Sequence, residues 1–256
     1  MSDDRPDLAP LERSAREVAA EWEIELGEPF VLARYSFVAP AGADAVLKVT
    51  PPEDDEADEE ADALELWGGE GAVRLLRRDR ERRALLVERA LPGEDIAALP
   101  EDEATAMAVG VAVRLWKRGQ SPGLSPFRSV HDHVPRWLAN AADHELAPLA
   151  HELYARLENR SETLVHGDFH HHNVLQSSRG PLAIDPKPML GEPEYDVPSF
   201  LWNPLPYRMR SDVTERRLAA FAAAGLDEER MRAWAVIRGA YLGADESESG
   251  VLRALV

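Results

Sequence analysis

The chain has 256 residues, 45% hydrophobic and 30% charged, a globular composition with room for one large domain or two close lobes and unlike that of a disordered chain. The absence of cysteine excludes disulfide frameworks, thiolate metal sites and cysteine nucleophiles. A formal net charge of −18 argues against nucleic acid as a partner, because a phosphate backbone is repelled; it suits a cationic small substrate or plain solubility equally. No run reaches the roughly 18 apolar residues that span a bilayer, and the acidic start MSDDRPDLAP lacks the apolar centre of a signal peptide. A soluble cytoplasmic protein without a membrane partner is expected.

Leu11, Ala15, Val18, Ala19 and Trp22 fall on one face of a helix over residues 11–22. Two strands are expected next, over 30–38 and 45–49, separated by Pro40, Gly42 and Asp44 and stopped by Pro51-Pro52. Eight carboxylates in the ten positions 53–62 read as a solvated loop and helix start. That helix runs through Ala61, Leu64 and Trp67 to Gly68-Gly69. Two more strands are expected over 72–76 and 84–88, and Pro92-Gly93 reads as a hinge. Beyond it the pattern turns helical over 101–118, much of 131–158, 212–224 and 227–243. A hairpin interrupts it, with strands over 173–176 and 182–185 around a turn at 177–180. A small β-rich lobe (1–90) and a larger helical lobe (91–256) follow from this order.

The chemistry concentrates in HGDFHHHN at 166–173 and IDP at 184–186. Asp168, Asn173 and Asp185 offer three oxygen donors on turn-prone backbone that can face one cleft. Asn173 and Asp185 suit Mg²⁺, a hard cation that takes oxygen ligands. Asp168 is then left to accept a proton from a nucleophilic hydroxyl, the division of labour of phosphoryl transfer. The histidines 170–172, with His166, compete as a metal site. Consecutive loop residues rarely converge on one ion, however, and no H-E-x-x-H spacing accompanies them. Lys48, inside the apolar run VLKV, is costly in a strand unless it is paired.

Residues 166–173 resemble the H-G-D-x-H-x-x-N loop of aminoglycoside phosphotransferases. AIDPK at 183–187, GEPEYD at 191–196 and LWN at 201–203 resemble the streptomycin 6-phosphotransferase and hydroxyurea phosphotransferase branch. So do LELWGGEGAVRLL at 64–76 and LLVERAL at 85–91. The resemblance spans residues 30–240. It implies an α+β, protein-kinase-like fold in two lobes, with a small antiparallel sheet and one main helix in the first. It also implies an ATP- and Mg²⁺-dependent enzyme that phosphorylates a hydroxyl of a small, aminoglycoside-like or hydroxyurea-like molecule. In those terms Asp168 is the catalytic base, Asn173 and Asp185 hold the metal, and Lys48 contacts the nucleotide phosphates. Glu60 is its helix partner, with Glu65 as the alternative. Glu88 and Leu91 mark the adenine edge, and Asp196 braces the catalytic loop together with His166 and His170. No G-x-G-x-x-G is present, so Ser36 takes the phosphate-loop role. Glu192, Glu194 and Trp202 are candidates for the acceptor site. Choline-, homoserine- and fructosamine-type kinases share this architecture, and a non-catalytic nucleotide-binding module is the alternative from another class.

Overall fold

A computed structural model describes residues 8–31, 35–54, 57–119, 127–160, 162–205 and 208–256. The chain opens with α1 (Ala9–Glu21), whose Ala15, Val18 and Ala19 are buried. These side chains meet Phe37, Ala39, Leu47 and Val49 of a hairpin, β1 (Phe37–Ala41) and β2 (Ala45–Val49), in a small apolar cluster of their own. Alternation along β2 explains the arrangement. Leu47 and Val49 turn toward α1, which leaves Lys48 on the opposite face.

The expected first strand lies later than its sequence signal. Residues 32–34 of the 30–38 run are outside the described residues; the rest divides into an outer edge and a strand. Leu26 bridges Ala41, while the Gly27 and Phe30 amides donate to the Pro40 and Val38 carbonyls. Pro40 has no amide to donate, so its position near a sheet edge is the tolerated one. Ser36 lies immediately before β1.

On the far face of the sheet lies α2 (Ala57–Trp67). β3 (Leu75–Asp79) and β4 (Ala84–Glu88) complete an antiparallel sheet in the order β1-β2-β4-β3. β3 starts three residues later than expected, because Gly71–Val73 is occupied elsewhere. The Ala183 amide donates to the Gly71 carbonyl at 2.8 Å, and the Val73 amide to the Ala183 carbonyl at 3.1 Å. Two hydrogen bonds thus tie the loop after α2 to the chain two residues before Asp185.

The expected hinge at Pro92-Gly93 begins a short strand, β5 (Pro92–Asp95), which pairs with β7 (Val174–Ser177); β7 in turn pairs with β8 (Leu182–Ala183). β6 (Thr163–Val165) pairs with β9 (Met189–Gly191). These two small sheets carry the loop with residues 166–173 between them. Helices α3 (Glu101–Gly119), α4 (Val130–Asn140), α5 (Ala147–Arg156), α6 (Val197–Leu201), α7 (Ser211–Ala223), α8 (Glu228–Leu242) and α9 (Glu246–Arg253) build the larger lobe. The helical region expected over 131–158 is broken into α4 and α5 by residues 141–146. Helix α8 is buried along most of its length and packs against α4, α5, α6, α7 and α9. Asp227 caps its start, and Gly243, in the left-handed conformation, ends it. None of the helices among the described residues is long and apolar enough to cross a membrane.

Leu47 is fully buried between α1 and the sheet. Leu47→Ala should destabilise the protein by about 2–5 kcal/mol through lost contacts and a residual cavity, read as a lower urea midpoint. Leu76→Ala, at an exposed position of β3, should leave the midpoint nearly unchanged.

Candidate active site

The loop between β6 and β7 is held by hydrogen bonds to a buried carboxylate. Asp196 accepts from the His166 amide at 2.9 Å, the Gly167 amide at 2.7 Å and the Trp116 indole at 2.9 Å. A carboxylate buried completely is costly unless such donors surround it. Gly167 takes φ +80°, and a Cβ there would overlap the Lys187 carbonyl oxygen, so only glycine fits. His166 is buried against Trp67 with its ring stacked, and its Nε2 meets the Ile184 carbonyl at 3.0 Å. Burial pushes this imidazole below the usual histidine range. The resulting turn presents Asp168 with its side chain about one quarter exposed. Asn173 donates from Nδ2 to the Asp168 carbonyl at 3.0 Å, which ties the two residues across the loop.

Opposite this turn, Lys48 lies between two carboxylates. Its Nζ is 2.7 Å from Glu60 Oε2 on α2 and is also hydrogen-bonded to Asp185 Oδ1, just beyond β8. Burial opposes the ammonium, yet Glu60 and Asp185 hold it above the ordinary lysine range. Burial likewise opposes the Asp185 charge, but Lys48 keeps its pKa below the usual carboxylate value. For Glu60 burial wins: its carboxyl is pushed up to about 7 against the pull of Lys48. Asp185 adopts φ +55°, a conformation that aspartate tolerates better than most residues. Between the two glutamate candidates the geometry is unambiguous, because Glu65 is exposed and reaches Arg78 instead, at 3.5 Å.

The remaining candidates separate. The Glu88 carboxylate pairs with Arg179 at 2.6 Å, while its amide donates to the Arg74 carbonyl and the Leu91 carbonyl accepts from Ser178. Those two backbone groups are engaged within the protein. Ser36 is half-buried at the start of β1. His170 Nε2 lies 3.8 Å from Asp168, His171 stacks on Phe200 with centroids 3.8 Å apart, and His172 pairs with Asp95 at 2.7 Å. The three rings point in three directions, and among the described residues no group of three histidines or carboxylates could hold a metal.

Glu192, Glu194 and Trp202 are corrections to the expected acceptor site. Glu192 is 2% exposed and receives the Arg230 guanidinium at 2.7 Å together with the Trp234 indole. Glu194 is buried and accepts from the Asp227 amide at 3.0 Å. Trp202 packs in the core beside Gly239. All three are engaged within the lobe, so they do not line an open pocket.

Arg238 of α8 was not legible as a site residue. It is buried, donates to the Gly167 carbonyl at 3.3 Å and the Tyr195 carbonyl at 3.1 Å, and lies 4.5 Å over the Tyr195 ring. A charged residue in the otherwise apolar run AWAVIRGA was the available signal.

A buried lysine–glutamate pair and the Asp168, Asn173 and Asp185 set, located where a small antiparallel lobe meets a helical one, define a protein-kinase-like small-molecule kinase. The solved amicoumacin kinase in complex with AMP-PNP, Ca²⁺ and Ami shares this fold with a TM-score of 0.65 at 13% identity, over 98% of this chain and 92% of that one. The chain belongs to the aminoglycoside/hydroxyurea antibiotic resistance kinase family, whose profile matches residues 31–250. It is 32% identical over 238 residues to the hydroxyurea phosphotransferase of Kitasatospora aureofaciens, covering 87% of this chain and 69% of that protein. It is 30% identical over 254 residues to the streptomycin 6-kinase of Streptomyces glaucescens, covering 89% and 80%.

A pH test follows from Glu60. In the folded protein it retains its proton to about 7, whereas its ordinary value is 4.5. Between these values the native state holds more protons than the unfolded chain, so stability falls as pH rises. Glu60→Gln should flatten that decline, measured as urea midpoints across the same window at constant salt.

Proposed function

We propose that the chain is an ATP- and Mg²⁺-dependent phosphotransferase that moves the γ-phosphoryl group to a hydroxyl of a small, aminoglycoside-like or hydroxyurea-like molecule. The observation that carries this reading is the Lys48 ammonium, held by Glu60 of the small lobe and by Asp185 of the catalytic hairpin. A lysine fixed in this way is a ready counter-charge for nucleotide phosphates. The named activities of the hydroxyurea and streptomycin kinases supply the acceptor class.

Asp168 orients the acceptor hydroxyl and takes its proton. Its turn is fixed before substrate arrives by Asp196 and Arg238, so the base need not be reorganised during the reaction. His166 acts through the loop backbone, and His170 stands beside the base. The Asp185 carboxylate and the Asn173 amide oxygen are hard donors that fit Mg²⁺. When bound there, the ion would neutralise charge on the β- and γ-phosphate oxygens. On the nucleotide side, Glu88 and Leu91 would mark the adenine edge through groups other than the engaged Glu88 amide and Leu91 carbonyl, and Ser36 would approach the phosphates.

A coupled ADP-release screen across aminoglycosides, hydroxyurea and small amino alcohols tests the acceptor. Asp168→Asn should lower turnover by roughly 10²–10⁴-fold, the usual scale for a general base, while nucleotide binding by calorimetry persists. Normal turnover in that variant rejects the base. A thermal shift with MgATP and no turnover on any acceptor points instead to a nucleotide-binding module.

A further inference from the structure

The chain holds 29 basic residues, but only Lys48, Lys117 and Lys187 are lysines. Lys48 belongs to the site described above. Lys187 stands on its other side: its Nζ is 3.7 Å from Asp168 Oδ2, with the side chain about half exposed. The Lys187 amide donates to the His166 carbonyl at 2.8 Å, and its own carbonyl lies against Gly167, where a Cβ would collide with it. The Lys187 backbone is therefore pinned to the turn that carries Asp168, while its ammonium stands beside the Asp168 carboxylate.

Resting on the phosphotransferase reading, we infer that Lys187 is a further catalytic residue, whose ammonium neutralises the phosphoryl group as it passes to the acceptor. In that step the acceptor oxygen bonds to the γ-phosphorus as its proton goes to Asp168. The bond from the γ-phosphorus to the bridging oxygen breaks, and ADP leaves with that electron pair. Charge on the three non-bridging oxygens then moves away from Lys48 and toward Asp168, itself an anion. A cation beside Asp168 offsets this where it is needed. His170, which also faces that carboxylate, is less suited, because burial pushes its pKa below the usual range. The buried Arg238 guanidinium, though it acts on Asp168, is engaged by the Gly167 and Tyr195 carbonyls. Lysine also fits the place better than arginine. A compact, mobile ammonium can follow the phosphoryl group, whereas a guanidinium would clamp the Asp168 carboxylate through two hydrogen bonds.

The test compares wild type, Lys187→Met and Lys187→Arg for turnover and for binding of MgADP with and without aluminium fluoride, which mimics the phosphoryl group in flight. Lys187→Met should lower kcat by roughly 10²-fold, the scale of one lost charge-stabilising donor. Its KM for ATP and its MgADP affinity should stay within about threefold, while the fluoride-dependent gain in affinity is lost and Lys187→Arg restores part of it. The inference is overturned if Lys187→Met keeps the fluoride-dependent gain, if MgADP affinity falls in parallel with kcat, or if wild type shows no such gain. Failure of the unaltered chain to bind nucleotide at all sinks the kinase reading itself, a result distinct from nucleotide binding that ignores residue 187.

Discussion

One ammonium, largely withdrawn from water, ties three elements of the two lobes together. Lys48 comes from β2, Glu60 from α2 and Asp185 from the end of the β7–β8 hairpin, and the three converge only when all three elements have docked. A lysine withdrawn from water without partners would cost several kcal/mol or lose its proton, so the sheet cannot settle without the helix and the hairpin. With two carboxylates around one ammonium, the cluster still carries excess negative charge. Burial pushes the Glu60 carboxyl up, and the neighbouring Asp185 charge adds to that push. A divalent ion at Asp185 would offset that excess, and the Lys48 ammonium would face the phosphates.

The larger lobe serves a narrower purpose than its size suggests. Trp116 from α3 and Arg238 from α8 reach the same turn from different directions, one through Asp196 and the other through the Gly167 carbonyl. Neither has to touch substrate. Each contributes a buried polar group whose desolvation is offset only in a single arrangement of the turn. The aspartate presented there is thus fixed by helices far from it in sequence, which a loop on its own could not achieve.

The sequence exposed those parts of the site in which local pattern and chemistry coincide. VLKV shows a charge within a strand, and HGDFHHHN followed by IDP shows three donors on turns, so Lys48, Asp168, Asn173 and Asp185 were legible. Glu60 was legible only as one of several carboxylates; helix register and docking separated it from Glu65. The strand over 30–38 was misplaced because residues 26–30 hydrogen-bond along the edge of β1 without extending it, and backbone pairing leaves no mark on side-chain alternation. β3 was displaced because Ala72 and Val73, though strand-like, pair with Ala183. Arg238 was hidden because one charged residue in a buried helix does not announce its partner.

Glu192 and Glu194 show why acidity misled the reading of the acceptor site. Glu192, which resembles part of a cation pocket in sequence, meets the buried Arg230, and Glu101 meets the buried Arg217 in the same way. Charges matched in this way cancel locally and add little field outside. The net −18 must then reside chiefly on exposed carboxylates, whose effect is long-ranged but screened over about 8–10 Å in physiological salt. Such a field raises the encounter rate of a cation without selecting it. Discrimination between acceptors must then come from short-range contacts rather than from this field.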